Sequence, residues 1–312
     1  MAYRYPQDVK RPCIVGFGIA CLDYLYLAPK AQPGGFAPIL DYKVEGGGLT
    51  GTALVAASRL GAETIMLGRI GDDDTGEQIV KGLQAEGVDT SNLIRVPGAA
   101  SYFSIVHVDA ETAERTIYGR EEKNIDCPTD LIPLDVISQG DILVLDPHWP
   151  EGALTVARKA RELGIPIVLD SSLKPSHMAV VAASDYAVVS RRAALKFAGT
   201  EDCLEAARKL RSFGPHTVVI TCGSEGSYYA DENEEGYVPA FEVRAVDTTG
   251  AGDVFHGAFA FAAAQGWNLR DVIIFASAVA AIKCTKLGGR AGIPDLDQTL
   301  LFLKEHGVQL PL

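Results

Sequence analysis

No two of the six cysteines form a Cys-x-x-Cys pair. Cys13, Cys21, Cys127, Cys203, Cys222 and Cys284 are scattered, which argues against a zinc or dithiol redox site and for free thiols in a reducing compartment. The six histidines are equally dispersed, without a His-Glu-x-x-His pair. Basic runs are missing too: 28 Lys and Arg stand against 40 Asp and Glu, a formal net charge of −12. Such a chain is a poor partner for nucleic acid or an anionic membrane, and neither is expected. The longest apolar candidate, Ala258–Ala264, falls far short of a membrane span. The opening residues Met-Ala-Tyr-Arg-Tyr-Pro-Gln-Asp lack the apolar stretch of a secretory leader, so a cytoplasmic location is expected. No linker, repeat or low-complexity tract divides the sequence, and residues 1–312 read as one main domain with an insertion.

The balance that remains, 47% hydrophobic and 22% charged, is that of a globular protein. It excludes a disordered, collagen-like or small disulfide-bonded chain. Short apolar runs alternate with amphipathic segments. Cys13–Gly18, Thr64–Ile70, Asp141–Leu145, Pro166–Asp170, Tyr186–Ser190 and Thr217–Cys222 read as strands. Thr52–Leu60, Gly76–Glu86, Glu151–Leu163 and Asp202–Phe213 read as helices, and the chain from Gly250 to about Leu303 is mainly helical. Wholly apolar strands separated by helices predict an α/β fold with a parallel sheet covered on both faces. Two stretches break the rhythm. Tyr24–Glu45, with Pro29, Pro33, Gly34, Gly35 and Pro38, reads as turns and short extended pieces. Tyr102–Arg120 alternates around Asp109-Ala-Glu-Thr112 and reads as a β-hairpin. A small β-rich lid inserted at about 24–45 and 100–122 accounts for both.

The sharpest segment is Asp247-Thr-Thr-Gly-Ala-Gly-Asp253, running into an apolar helical stretch. The start of that helix presents unpaired N–H groups and the positive end of its dipole. Gly250, Ala251 and Gly252 have no bulk to keep a charged group from those donors. Asp253 lies in the first turn beside them. A carboxylate next to an anion hole can take a hydroxyl proton while the backbone stabilises charge on a transferring phosphoryl group. A plain helix cap with Asp253 as dipole partner is the alternative, but two threonines, two glycines and two aspartates in seven residues exceed what a cap needs. Glu45-Gly-Gly-Gly-Leu-Thr-Gly-Thr52 is either a flexible strand-to-helix loop or a close backbone approach to a substrate. Asp23, directly after the first strand, is either a loop carboxylate or a ligand-binding group at a sheet end. Gly16-Phe-Gly18-Ile-Ala-Cys21 has the look of a dinucleotide fingerprint. Cys21 replaces its third small residue, however, and the prolines and glycines of 29–38 forbid its crossover helix.

Asp247–Asp253 resembles the most specific motif of the ribokinase family, the PfkB-type carbohydrate kinases, and other features follow in the family's order over nearly the whole chain. Asp23 is similar to its sugar-binding aspartate and Gly46–Gly47 to its Gly-Gly pair. Ile70-Gly-Asp-Asp-Asp-Thr-Gly76 is similar to its Gly-x-Asp-x-x-Gly stretch, and Thr221–Gly226 to a strand-end segment near the nucleotide. The resemblance implies a ribokinase-like three-layer α/β/α fold with a mainly parallel central sheet and a small lid, through which two copies would form a homodimer. It implies ATP, Mg2+ and transfer to a hydroxyl of a small-molecule sugar. Asp253 would be the base, with Gly250, Ala251 and Gly252 as the anion hole. Asp23, Gly46, Gly47 and Gly51 would hold the sugar. ATP would lie along Thr221, Gly223, Gly226, Thr248, Lys283 and Gly289. A K+ ion would sit by Asp247, Thr249 and the loop Gly288–Gly292.

The wording of Asp253-Val-Phe-His-Gly-Ala258, Phe275–Thr285 and Gly288–Asp295 is similar to bacterial sulfofructose kinases and fructokinase-like enzymes, which implies a ketose such as fructose or sulfofructose. A sulfonate needs fixed cationic donors, for which Arg120 and His148 are the nominees. A nucleoside or other small alcohol is the alternative acceptor, with Phe36, Tyr102 and Phe103 available for stacking, and a ligand-binding relative without catalysis is another. Three positions depart from the family. Cys21 and Gly51 stand where it often has Asn. Ser190-Arg-Arg-Ala193 stands where an Asn-x-x-Glu helps to organise Mg2+ and phosphate. There, Arg191 or Arg192 either contributes charge or belongs to a solvated helix start.

Overall fold

The computed structural model describes residues 11–112, 115–120 and 124–311. The leader expectation for residues 1–8, and residues 113, 114, 121 and 122 of the second lid insertion, fall outside the described residues.

The strands, in chain order, are β1 (Cys13–Phe17), β2 (Cys21–Ala28), β3 (Asp41–Gly47), β4 (Glu63–Gly71), β5 (Val88–Asp89), β6 (Leu93–Val96), β7 (Phe103–Asp109), β8 (Arg115–Arg120), β9 (Ile142–Leu145), β10 (Ile167–Asp170), β11 (Tyr186–Ser190), β12 (Thr217–Thr221), β13 (Ser227–Ala230) and β14 (Glu235–Val238). The α-helices are α1 (Leu49–Arg59), α2 (Asp74–Ala85), α3 (Pro150–Leu163), α4 (Met178–Val181), α5 (Arg191–Ala198), α6 (Cys203–Arg211), α7 (Ala251–Ala264), α8 (Leu269–Lys283) and α9 (Leu296–Glu305).

The main sheet runs β14-β13-β12-β11-β10-β9-β1-β4-β5. It is parallel from β12 to β5, and its last two strands turn antiparallel. The alternating pleat sends Ile14 into one hydrophobic cluster and Val15 and Phe17 into another. The first cluster also holds Leu54 of α1, Phe259 of α7 and Phe275 of α8; the second holds Val156 of α3 and Leu210 of α6. Both faces of the sheet are therefore sealed by helices, which is why its strands read as unbroken apolar runs. Each fully buried Phe contributes roughly 1.5–3 kcal/mol to that seal.

A second sheet, β3-β2-β7-β8, forms the lid. Its first part corrects the expectation of turns and short pieces, because β2 and β3 are eight and seven residues long. The prolines all fall in the connection 29–40, where none interrupts a ladder. Asp23 is thereby the third residue of β2, on the lid itself. Tyr102–Arg120 forms the expected hairpin, with Phe103 opposite Arg120 and Ser104 opposite Gly119. Asp23 lies opposite Ser104 and Leu25 opposite Val106, so these four share one lid face. The other face leaves Tyr24, Tyr42, Val44, Ile105 and Tyr118 exposed.

Candidate active site

Helix α7 starts at Gly250, whose φ of 73° is left-handed and suits glycine. No side chain caps it. Ala251 N–H bonds the Thr248 carbonyl at 3.2 Å, while the N–H groups of Gly252 and Asp253 belong to a first turn that has no acceptors within the helix. The Asp253 carboxyl is pushed up to about 7 by burial and by the carboxylates of Asp170, Asp146 and Asp23, against the pull of His256. A base near neutrality accepts a proton without being spent beforehand.

Two of those carboxylates end apolar strands, and sequence reading gave them no role. Asp146 directly follows β9 and is fully buried. Its Oδ2 accepts Ile19 N–H at 2.9 Å and Thr50 Oγ at 2.7 Å, and its Oδ1 accepts His148 N–H at 2.9 Å. It thus ties the end of β1 to the start of α1. Asp170 ends β10, its Oδ2 3.6 Å from Nδ1 of His256. An aspartate closing an apolar run at the carboxyl edge of a parallel sheet was the available signal.

Asp23 faces this edge from the lid. Its Oδ1 accepts Ser104 Oγ at 2.6 Å and Cys21 Sγ at 3.3 Å. Burial and the Asp23 charge push the Cys21 thiol well above its ordinary range, so it stays a donor. Cys21 and Ser104 therefore orient Asp23. A Cβ on Gly47 would meet Asp23 Oδ2 at 2.0 Å, one on Gly46 would meet Arg290 Nη1 at 2.0 Å, and one on Gly51 would meet Arg290 Nη2 at 2.9 Å. The Arg290 guanidinium bonds Gly47 O at 2.8 Å and Thr52 Oγ1 at 3.3 Å. The glycines of 46–51 thus make room for a buried arginine and an aspartate. Arg290 was missed because it lies more than 200 residues from them in sequence.

Other expected residues fall elsewhere. Arg120 pairs opposite Phe103, with its guanidinium 5.3 Å from that ring. The pleat puts it on the lid face away from Asp23. His148 stacks edge-on to Tyr102 at 5.9 Å, beside the Asp146 knot. Lys283, expected along the nucleotide, is fully buried, with Nζ 3.0 Å from the Asp247 carbonyl; it braces the start of the Asp247–Asp253 segment. Arg191 opens α5, with Ser190 as its cap, and grips Glu225 at 2.8 and 2.9 Å. Thr221 ends β12; Gly223–Glu225 turn tightly, and Gly226 has a φ of 94° and no room for a Cβ beside Val238 O. Thr248 accepts from Arg115 of β8 at 3.0 Å.

Asp247 Oδ1 and Oδ2 each accept a backbone N–H at 2.8 Å, from Thr249 and Gly288. Against burial, these bonds and the Lys283 charge hold its carboxyl below the usual range. Glu45 Oε1 and Thr249 Oγ1 are buried here without a partner at full hydrogen-bond geometry, while the Glu45 carboxyl feels the Gly289 and Arg290 N–H groups and the Thr249 side chain the Asp247 carboxylate. Both side chains lie near Gly289. Buried oxygens whose bonds are not well made are costly, and the oxygen-rich Asp247–Thr249 corner is chemically compatible with a monovalent cation. No cluster of three or more His, Cys, Asp or Glu side chains able to hold a metal occurs among the described residues. Mg2+ usually keeps several waters and binds largely through substrate phosphates, so it needs no such cluster.

Residues 14–296 match the family described as pfkB family carbohydrate kinase. The ribokinase of Staphylococcus aureus is 29% identical over 286 residues, covering 88% of this chain and 94% of that protein. The aminoimidazole riboside kinase of Salmonella typhimurium is 30% identical over 284 residues, covering 84% and 89%. The crystal structure of ribokinase from Thermotoga maritima superposes with a TM-score of 0.82 at 27% identity, covering 94% of this chain and 99% of that one. The chain belongs to the pfkB family of carbohydrate kinases and is an ATP-dependent kinase of a small sugar.

Proposed function

We propose that this kinase moves the γ-phosphoryl group of ATP to a primary hydroxyl of a ketose, with Asp253 as the base. The observation that carries the reading is the Asp253 carboxyl, poised near neutrality at the mouth of an uncapped helix. The sugar would lie between the lid and the carboxyl edge of the main sheet, its hydroxyls on Asp23 Oδ2. Asp253 would accept the hydroxyl proton as the oxygen attacks phosphorus. The N–H groups of Gly252 and Asp253 would take the charge that builds on the phosphoryl oxygens. ATP would extend along Thr221–Gly226 and Gly289, with Thr248 beside its phosphates. Mg2+, when bound, would offset phosphate charge, and K+, if held by Asp247 and Thr249, would fix the loops on either side of the hole. Closing the lid would exclude water and suppress idle ATP hydrolysis. A second copy of the chain would cover the exposed lid face of Tyr24, Tyr42, Val44, Ile105 and Tyr118.

A ketose is favoured because the pocket departs from the ribose pattern at Gly51, where Arg290 fills the vacated space. The C-terminal wording around Gly288–Asp295 supports the same reading. The likeness to an aminoimidazole riboside kinase supports a second acceptor class, a nucleoside-like riboside. A phosphorylation screen over ketoses, pentoses, sulfosugars and nucleosides separates the two. The highest kcat/KM is expected on a ketose; a pentose or nucleoside at the top would overturn the assignment.

A further inference from the structure

His256 lies one turn after Asp253 on α7 and is 4% exposed. Both of its ring nitrogens face carbonyl oxygens. Nδ1 is 2.7 Å from Gly252 O, and Nε2 is 2.9 Å from Val188 O on β11. A carbonyl can only accept, and a neutral imidazole carries a single N–H. A neutral ring would therefore aim one lone pair at an oxygen lone pair in a buried site, whereas a doubly protonated ring satisfies both contacts. The countercharge is at hand: Asp170 Oδ2 stands 3.6 Å from Nδ1.

We propose that His256 is a permanently protonated positioning residue, a buried imidazolium that ties β11 to the first turn of α7 and supplies a fixed positive charge beneath Asp253. This rests on the reading of Asp253 as the base. Two consequences follow from the geometry. Gly252 C=O and Asp253 N–H belong to one peptide unit, so a cation on the carbonyl polarises the N–H that faces the transferring phosphoryl group. The charge also offsets the carboxylates that crowd Asp253, namely Asp170 on β10, Asp146 after β9 and Asp23 on β2. Although burial works against the charged ring, Asp170 and the two carbonyls hold its pKa above the ordinary histidine value. His256 itself touches neither reacting atom; it acts through Asp253 and the Gly252 peptide.

Nitrogen-15 NMR of the ring in the unliganded wild-type protein tests the protonation state with no reference to catalysis. Both nitrogens are expected to show imidazolium shifts from pH 6 to 8; a neutral tautomer in that range overturns the proposal. His256→Gln keeps a donor but removes the charge. The base works ionised, so kcat falls as pH drops through the Asp253 pKa, and losing a nearby cation moves that limb upward. A shift of about one unit is expected, which at pH values below the limb is an about tenfold loss of kcat, with both KM values little changed. An unmoved limb beside an inactive Asp253→Asn overturns the proposal while leaving the base assignment intact. An active Asp253→Asn overturns the base assignment instead, and the ring shifts still decide whether His256 is an imidazolium. Should His256→Gln not fold, the wild-type ring shifts alone decide.

Discussion

The Arg290 guanidinium stands where a side chain on Gly46 would lie, since a Cβ there would come within 2.0 Å of Nη1. Arg290 is 4% exposed and bonded to Gly47 O and Thr52 Oγ1, so it has little freedom to yield. Gly46→Ala should therefore act as overpacking in a core does, destabilising by about 1–3 kcal/mol. It should also displace the Gly47 carbonyl next to Asp23 and raise the sugar KM. Denaturant unfolding beside sugar kinetics checks this; a variant with wild-type stability and KM would show that the crowding is relieved without consequence.

Asp23 is oriented through Oδ1, and in the proposed mechanism its Oδ2 takes the sugar. Asp23→Ala removes the acceptor and leaves sugar hydroxyls unpaired in a desolvated pocket. Such a loss costs on the order of 1–3 kcal/mol. A rise of about 5- to 150-fold in sugar KM is expected, with ATP KM little changed. If only ATP affinity changed, Asp23 would face the other ligand.

The buried oxygens of Glu45 and Thr249 near Asp247, which lack a partner at full hydrogen-bond geometry, lead to a third expectation. Replacing K+ by a bulky organic cation such as tetramethylammonium should lower turnover, and adding K+ back should restore it. The same exchange should lower the melting temperature, because a cation that binds the folded chain stabilises it by mass action. A rate and melting temperature indifferent to K+ would leave those oxygens without a cation.

Much of this site is readable along the chain because it is local. Asp247–Asp253 puts the proposed anion hole and base within seven residues at a helix start, and the helix is there. The central strands likewise announce themselves: β11 spans Tyr186–Ser190 as read, and the others differ at their ends by one residue or two. What could not be read is what only tertiary contact creates. Ser104 meets Asp23 across 81 residues, Asp146 meets Thr50 across 96, and Arg290 meets Gly47 across 243. The face that Arg120 occupies is hidden for a subtler reason. One residue along a strand moves a side chain to the opposite face, and the phase of β8 relative to β2 is set by pairing. Lys283 is hard to place from sequence because its partner is a backbone carbonyl, which no residue type reveals.

The assignment depends most on Asp253. Asp253→Asn preserves shape and the first-turn N–H groups but cannot accept a proton. General-base contributions are typically about 10²–10⁴-fold. The direct measurement is kcat for wild type and variant, beside calorimetric affinities for ATP and sugar. The account predicts a fall in kcat of at least about a hundredfold with both ligands still bound. A variant keeping more than about a tenth of the wild-type kcat, well short of that range, would reduce Asp253 to a partner of the helix dipole and contradict the mechanism.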